Sequence, residues 1–157
     1  MELFISITAS LAILSVAVIF GTDVLSAVVL RSVYADVDDR TLVQTVGRGH
    51  YYGDRRLPVV GILGVVLSAA TAVLAIVAGS ILAGAFAAAA LIMLLVWLVL
   101  FARISKPINK ALTAAALADS VPDDARALHN RWESIIDVRS VLQGLAVALL
   151  CATLVAL

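Results

Sequence analysis

Arg139 follows Asp137 by two residues, and no charged residue comes after it, from Ser140 to Leu157. Trp132, Arg139 and Gln143 are spaced seven and four apart, which puts them on one face of a helix. Asp23 ends another uncharged run, Leu3 to Thr22, and His50 precedes Tyr51, Tyr52 and Asp54. An arginine among apolar residues must face a bundle interior or a wet cavity, because burying its charge without a partner is costly. In such a place it can hold a negatively charged oxygen. His50 can act as a base near neutral pH or orient one, and it also reads as a histidine at headgroup level. Asp23 reads either as an ion-pair partner of Arg139 or Arg56 that fixes helix register, or as a functional carboxylate.

Other residues point to simpler roles. Arg55, Arg56 and Arg103 have the positions of interfacial anchors that extend to headgroups. His129 stands ten residues before Arg139, about 15 Å along a helix, and is expected to be solvated. Neither histidine lies at haem-ligating depth within an apolar run. There is no His-x-x-x-His, paired Glu-x-x-His or cysteine cluster, so no metal site is expected, and the single Cys151 reads as a packing residue. Phosphate-binding glycine loops and serine nucleophile elbows are absent.

The elements that must position these residues follow from where charge is missing. Of the 157 residues, 63% are hydrophobic and 14% charged, against about a quarter charged in soluble domains. Eleven basic residues balance eleven acidic ones, so there is no net field to attract nucleic acid. No Asp, Glu, Lys or Arg occurs in Leu3–Thr22, Leu57–Ala102 or Ser140–Leu157. At about 20 residues per crossing these runs make one, two and one membrane helices, the middle pair joined by a turn near Gly79-Ser80. The expectation is an all-α integral membrane four-helix bundle, a single domain over 1–157. Its spans are about 2–33, 57–79, 81–103 and 122–157.

Basic residues orient the chain. Arg31, Arg40, Arg48, Arg55 and Arg56 flank or occupy the first connection, and Arg103, Lys106, Lys110, Arg126 and Arg131 the third. The positive-inside rule places both connections in the cytoplasm and both termini outside a plasma membrane. Both connections should contain short helices. Asp39 can cap one, Gly47 to Asp54 reads as a turn-rich interfacial segment, and Pro122 with Asp123 and Asp124 reads as a helix start. Small residues (Ser68, Ala69, Ala72, Ala75 and Ala87 to Ala90) suit close helix contact and permit a homo-oligomer.

Pro107-Ile108-Asn109-Lys110-Ala111-Leu112, followed by Arg131-Trp132-Glu133 and then Arg139, resembles the anthrone oxygenase-like family of small four-helix membrane proteins. The resemblance covers the whole chain in topology, with its motif confined to Pro107 to Gln143. It implies oxidation of a lipophilic aromatic by molecular oxygen without a bound redox cofactor. On this chain it would make Arg139 the holder of an enolate oxygen, Trp132 a stacking surface and Asn109 a donor. His50 or Asp137 would be the base, and Asp23 would set the charge of Arg139. Gln143 and Tyr51 complete the expected substrate-binding set. The position four after the tryptophan, often polar in that family, is Ile136 here, with Asp137 beside it. The partners expected are the bilayer and a lipophilic small molecule. A non-enzymatic partner subunit or carrier of such a molecule is the alternative. A proton-coupled exchanger fits less well, because Asp23 and Asp137 lie at one margin rather than at mid-membrane.

Overall fold

Asp38 shows how the longest helix begins. Its carboxylate accepts hydrogen bonds from the Thr41 backbone N–H at 2.9 Å and the Thr41 hydroxyl at 2.7 Å. An N-cap side chain satisfies an otherwise orphaned helix donor in this way. The Thr41 bonds hold the Asp38 carboxyl below its ordinary pKa. The cap is therefore at full strength at neutral pH and weakens as pH falls through that lowered value. The sequence suggested Asp39 as the cap; the structure uses its neighbour.

The computed structural model describes residues 1–157 and contains only helices and turns. Helix α1 is Glu2–Leu25, and a π-helical turn, Ser26–Leu30, carries it into α2, Arg31–Ala35. Helix α3 is Asp39–Val77 and α4 is Ile81–Leu100. A second π-helical turn, Phe101–Ser105, leads into α5, Lys106–Leu117. Helices α6, Ala125–Glu133, and α7, Ile136–Val155, complete the chain. Together they form four long helical stretches, Glu2–Ala35, Asp39–Val77, Ile81–Leu117 and Ala125–Val155, each long and apolar enough to cross a membrane. The fold is thus compatible with a four-helix bundle and a multi-pass membrane protein.

Three of the four helical stretches run past the expected spans on the side of the connections, and the fourth, Ala125–Val155, falls within 122–157. Gly47 to Asp54, expected to be turn-rich, is continuous helix within α3, as is Pro58. Packing overrides propensity here: a Cβ at Gly47 would overlap the Leu112 carbonyl oxygen and come within 2.6 Å of Ala116 Cβ. Glycine at this position lets α3 and α5 approach closely. The last stretch begins at Ala125 behind Asp124, three residues after Pro122. The expected turn at Gly79 is present. Gly79 has φ +83°, and the Ser80 N–H reaches back to the Ala75 carbonyl at 2.9 Å, a glycine-terminated helix end.

The residues group into two units by contact. The first comprises Met1–Gly21, Val59–Trp97 and Val141–Leu157, and its only charged side chain is Glu2. Its burial pattern inverts that of a soluble protein. Ala9, Ala12, Ala75, Ala83, Ala87, Ala90 and Ala146 are fully buried, while Leu3, Phe4, Leu14, Ile62, Val73 and Leu82 are exposed. Small residues inside and large apolar ones outside is how helices pack where the solvent is lipid. Inside this unit the Thr71 hydroxyl donates to the Leu67 carbonyl at 2.8 Å and lies 3.0 Å from the Thr8 hydroxyl.

The second unit comprises Thr22–Pro58 and Leu98–Ser140. It holds all eleven Lys and Arg residues, both histidines and all three tyrosines. Its core is Leu42, Val43, Val46, Ile108, Leu112, Ala115, Ala116 and Ala125. Arg126 fastens the loop between α2 and α3. Its guanidinium donates to the Tyr34 carbonyl at 2.6 Å, the Val37 carbonyl at 2.8 Å and Asp39 at 2.9 Å. Across the same unit Arg40 holds Asp119, whose φ of 52° closes the turn after α5.

Candidate functional site

The second unit buries one charge pair. Arg139 Nη2 lies 2.8 Å from Asp23 Oδ1, and the two side chains are 5% and 6% exposed. Arg139 Nη1 donates to the Ser105 hydroxyl at 2.7 Å. The guanidinium carbon lies 5.4 Å from the Trp132 ring centre and 5.8 Å from that of Phe101. The guanidinium thus has two aromatic rings within 6 Å, in buried surroundings where Coulomb forces are weakly screened. Phe101 and Ser105 are the first and last residues of the second π-helical turn, and such turns are frequent at functional sites.

Trp132 links this pair to both histidines. The His50 ring lies 5.5 Å from it at a 50° tilt, and the His129 ring stacks on it at 6.4 Å, nearly parallel. Tyr34 meets the far side of His129 edge-on at 5.4 Å. His129 Nε2 lies 3.1 Å from Glu133 Oε1, one helical turn on. A cavity of about 270 Å³ opens beside it, lined by Arg31, Tyr34, Arg126, His129 and Glu133 among others. Asn109 Nδ2 donates to Asp54 at 3.0 Å. His50 Nε2, Trp132 Nε1 and Asn109 Oδ1 are buried without a hydrogen-bond partner in the protein. Such groups are few in folded proteins and are valence available to a ligand.

Of the residues expected from the sequence, Arg139, Asp23, Trp132 and His50 come together, while Asn109 is held by Asp54. The ion pair of Asp23 is with Arg139, not with Arg56. Two expected residues have other partners. Asp137 is 64% exposed and is held by Arg31 at 3.0 Å, since it stands on the opposite side of α7 from Arg139. Tyr51 lies beneath the Arg55 guanidinium, 3.6 Å from its ring centre. Gln143 is buried, one turn after Arg139 on α7.

The expectation for His129 is corrected: it is 3% exposed, not solvated. The spacing held the signal. His129, Trp132, Ile136, Arg139 and Gln143 are three, four, three and four apart, which is one continuous helix face. Phe101 and Ser105 had no such signal, because a π-helical turn displaces them from ordinary helical register. No three His, Cys, Asp or Glu side chains converge closely enough to hold a metal ion.

Compared with protein-family models, curated proteins and solved structures, the chain matches none.

Breaking a buried ion pair from one side is more damaging than replacing both members. Asp23→Leu is expected to cost about 3–5 kcal/mol of stability, and Asp23→Leu with Arg139→Met to recover more than half of it. Denaturant unfolding of the detergent-solubilised variants measures both; equal losses in single and double variants would contradict a coupled pair.

Proposed function

We propose that the chain is an oxygenase-like enzyme of the plasma membrane. It oxidises a lipophilic aromatic of the anthrone type with molecular oxygen and needs no bound redox cofactor. The reading is carried by one observation: a buried, aromatic-flanked guanidinium shares an indole neighbour with a histidine whose Nε2 has no protein partner. The resemblance of Pro107–Leu112 and Arg131–Arg139 to the anthrone oxygenase-like family supports the same class of chemistry.

The chemistry needs a base, a cation and an apolar chamber. An anthrone methylene is acidic because its conjugate base is an aromatic enolate. His50 Nε2 takes the proton, Arg139 holds the enolate oxygen, and Trp132 offers its face to the ring. The electron-rich enolate then reduces oxygen directly, forming a carbon–oxygen bond and a hydroperoxide. Loss of water from the hydroperoxide, with the second methylene hydrogen, leaves a carbonyl. In sum, CH2 plus O2 becomes C=O plus H2O. Of the two bases suggested by the sequence, His50 borders the cluster and Asp137 does not. A second reading, binding or carriage of the same class of molecule without turnover, is favoured by the way Asp23 and Ser105 already occupy Arg139.

The proposal includes an orientation. All eleven Lys and Arg residues lie within 22–58 and 98–140, so the positive-inside rule puts these segments at the cytoplasmic face and both termini outside. A C-terminal alkaline phosphatase fusion expressed in a bacterium should be active and a C-terminal green fluorescent protein fusion dark. The reverse result would invert the topology.

Oxygen uptake by purified protein with an anthrone tests the reaction. The expected result is uptake above the spontaneous rate, reduced about 100-fold or more in His50→Gln, the usual size of a general-base contribution. Arg139→Lys should retain more activity than Arg139→Gln. Saturable binding with no uptake above background would overturn the oxygenase and favour the carrier.

A further inference from the structure

The second unit holds cations that its own carboxylates do not neutralise. Arg31, Arg40, Arg126 and Arg139 are each paired with an aspartate. Arg55, Arg56, Arg103, Lys106 and Lys110 are exposed, and none has a carboxylate within ion-pair distance. These five stand at the two ends of the long uncharged run Leu57–Ala102: Arg55 and Arg56 directly before it, Arg103 directly after it. Lys106 and Lys110 are one turn apart on α5, and Arg103 lies in the π-helical turn directly before them. The Asp54–Asn109 hydrogen bond ties the two groups together, since Asp54 adjoins Arg55 and Asn109 adjoins Lys110. Asp54 is the sole carboxylate in residues 48–58 and 98–118.

The tyrosines beside them suit a headgroup layer. The Arg55 guanidinium lies 3.6 Å over Tyr51, and that of Arg56 lies 5.1 Å from Tyr52. Tyrosines concentrate where a membrane meets water, and stacking holds the guanidinium planes in place while leaving N–H donors for a phosphate. Both ends of a helical hairpin reach the same face of a bilayer, so the five cations share one headgroup layer.

We infer that Arg55, Arg56, Arg103, Lys106 and Lys110 form a binding site for the phosphate of an anionic phospholipid. The occupant is a lipid rather than a soluble anion because the site adjoins an uncharged stretch long enough for two crossings, where acyl chains add apolar contact. The inference rests on the membrane-spanning reading and is independent of the oxygenase proposal. Each basic residue near an anionic surface adds a modest attraction, and the contributions accumulate and are screened by salt.

Lipid binding to the purified full-length protein in detergent, followed by native mass spectrometry, tests the site with phosphatidylglycerol and phosphatidylcholine as probes. Phosphatidylglycerol is expected to bind about tenfold or more tightly than phosphatidylcholine, and salt should weaken the difference. Combined Arg55→Gln, Arg56→Gln, Lys106→Gln and Lys110→Gln should abolish the preference, while Arg55→Lys with Arg56→Lys should largely retain it. Arg131→Gln, which removes an exposed cation outside the site, should leave it unchanged. Equal binding of the two lipids would overturn the inference, as would a loss of preference in Arg131→Gln as large as in the fourfold variant. Displacement of the lipid by millimolar inorganic phosphate would reassign the site to a soluble anion.

Discussion

Two opposite charges, Arg139 and Asp23, are held 2.8 Å apart with almost no access to water. Each would be costly to bury alone, so neither segment can take another register without exposing its partner to that cost. The pair joins the end of α1 to the start of α7, two segments 116 positions apart in sequence. Ser105 adds the second π-helical turn to the same guanidinium. Trp132, the two histidines and Phe101 gather around a group whose position is already fixed. A charge locked in this way is also a preorganised electrostatic site, needing little rearrangement when a negatively charged oxygen approaches.

The two units divide the work by composition. The first is nearly without charge and buries many alanines beside a few large side chains such as Ile5 and Leu150, with most of its large apolar surface outside. The second concentrates the charged, histidine and tyrosine side chains around a smaller apolar core. Most of its ion pairs are exposed, and such pairs contribute little to stability each. They act mainly as clips on local geometry: Arg126 on the loop after α2, Arg40 on the turn after α5, Arg31 on Asp137. That last clip holds Asp137 on the exposed side of α7.

Much of this was legible in the residues. Uncharged runs located the apolar stretches, because a charge in hydrocarbon is costly enough to be nearly absent. The turn at Gly79 and the face shared by Trp132 and Arg139 followed from backbone freedom and helical period. The helix through Gly47 to Pro58 was not legible, because three glycines and a proline argue locally for turns. Contact with Leu112 and Ala116 requires glycine at position 47, while Gly49 and Gly53 have no such close contact. The burial of His129 was present in the spacing but obscured by its distance from the apolar run. The roles of Phe101 and Ser105 depend on a π-helical turn that no simple period announces.

The central claim is that the Arg139 cluster receives a lipophilic aromatic rather than only bracing the fold. Trp132 reports on it directly. In a Trp97→Phe variant Trp132 is the single tryptophan, and titration with an anthraquinone, which lacks the reactive methylene, should quench its fluorescence saturably, with weaker binding when Arg139 is replaced by lysine. Unchanged Trp132 emission across the titration, in protein that remains folded, would contradict the account and leave the Arg139–Asp23 pair as a structural brace.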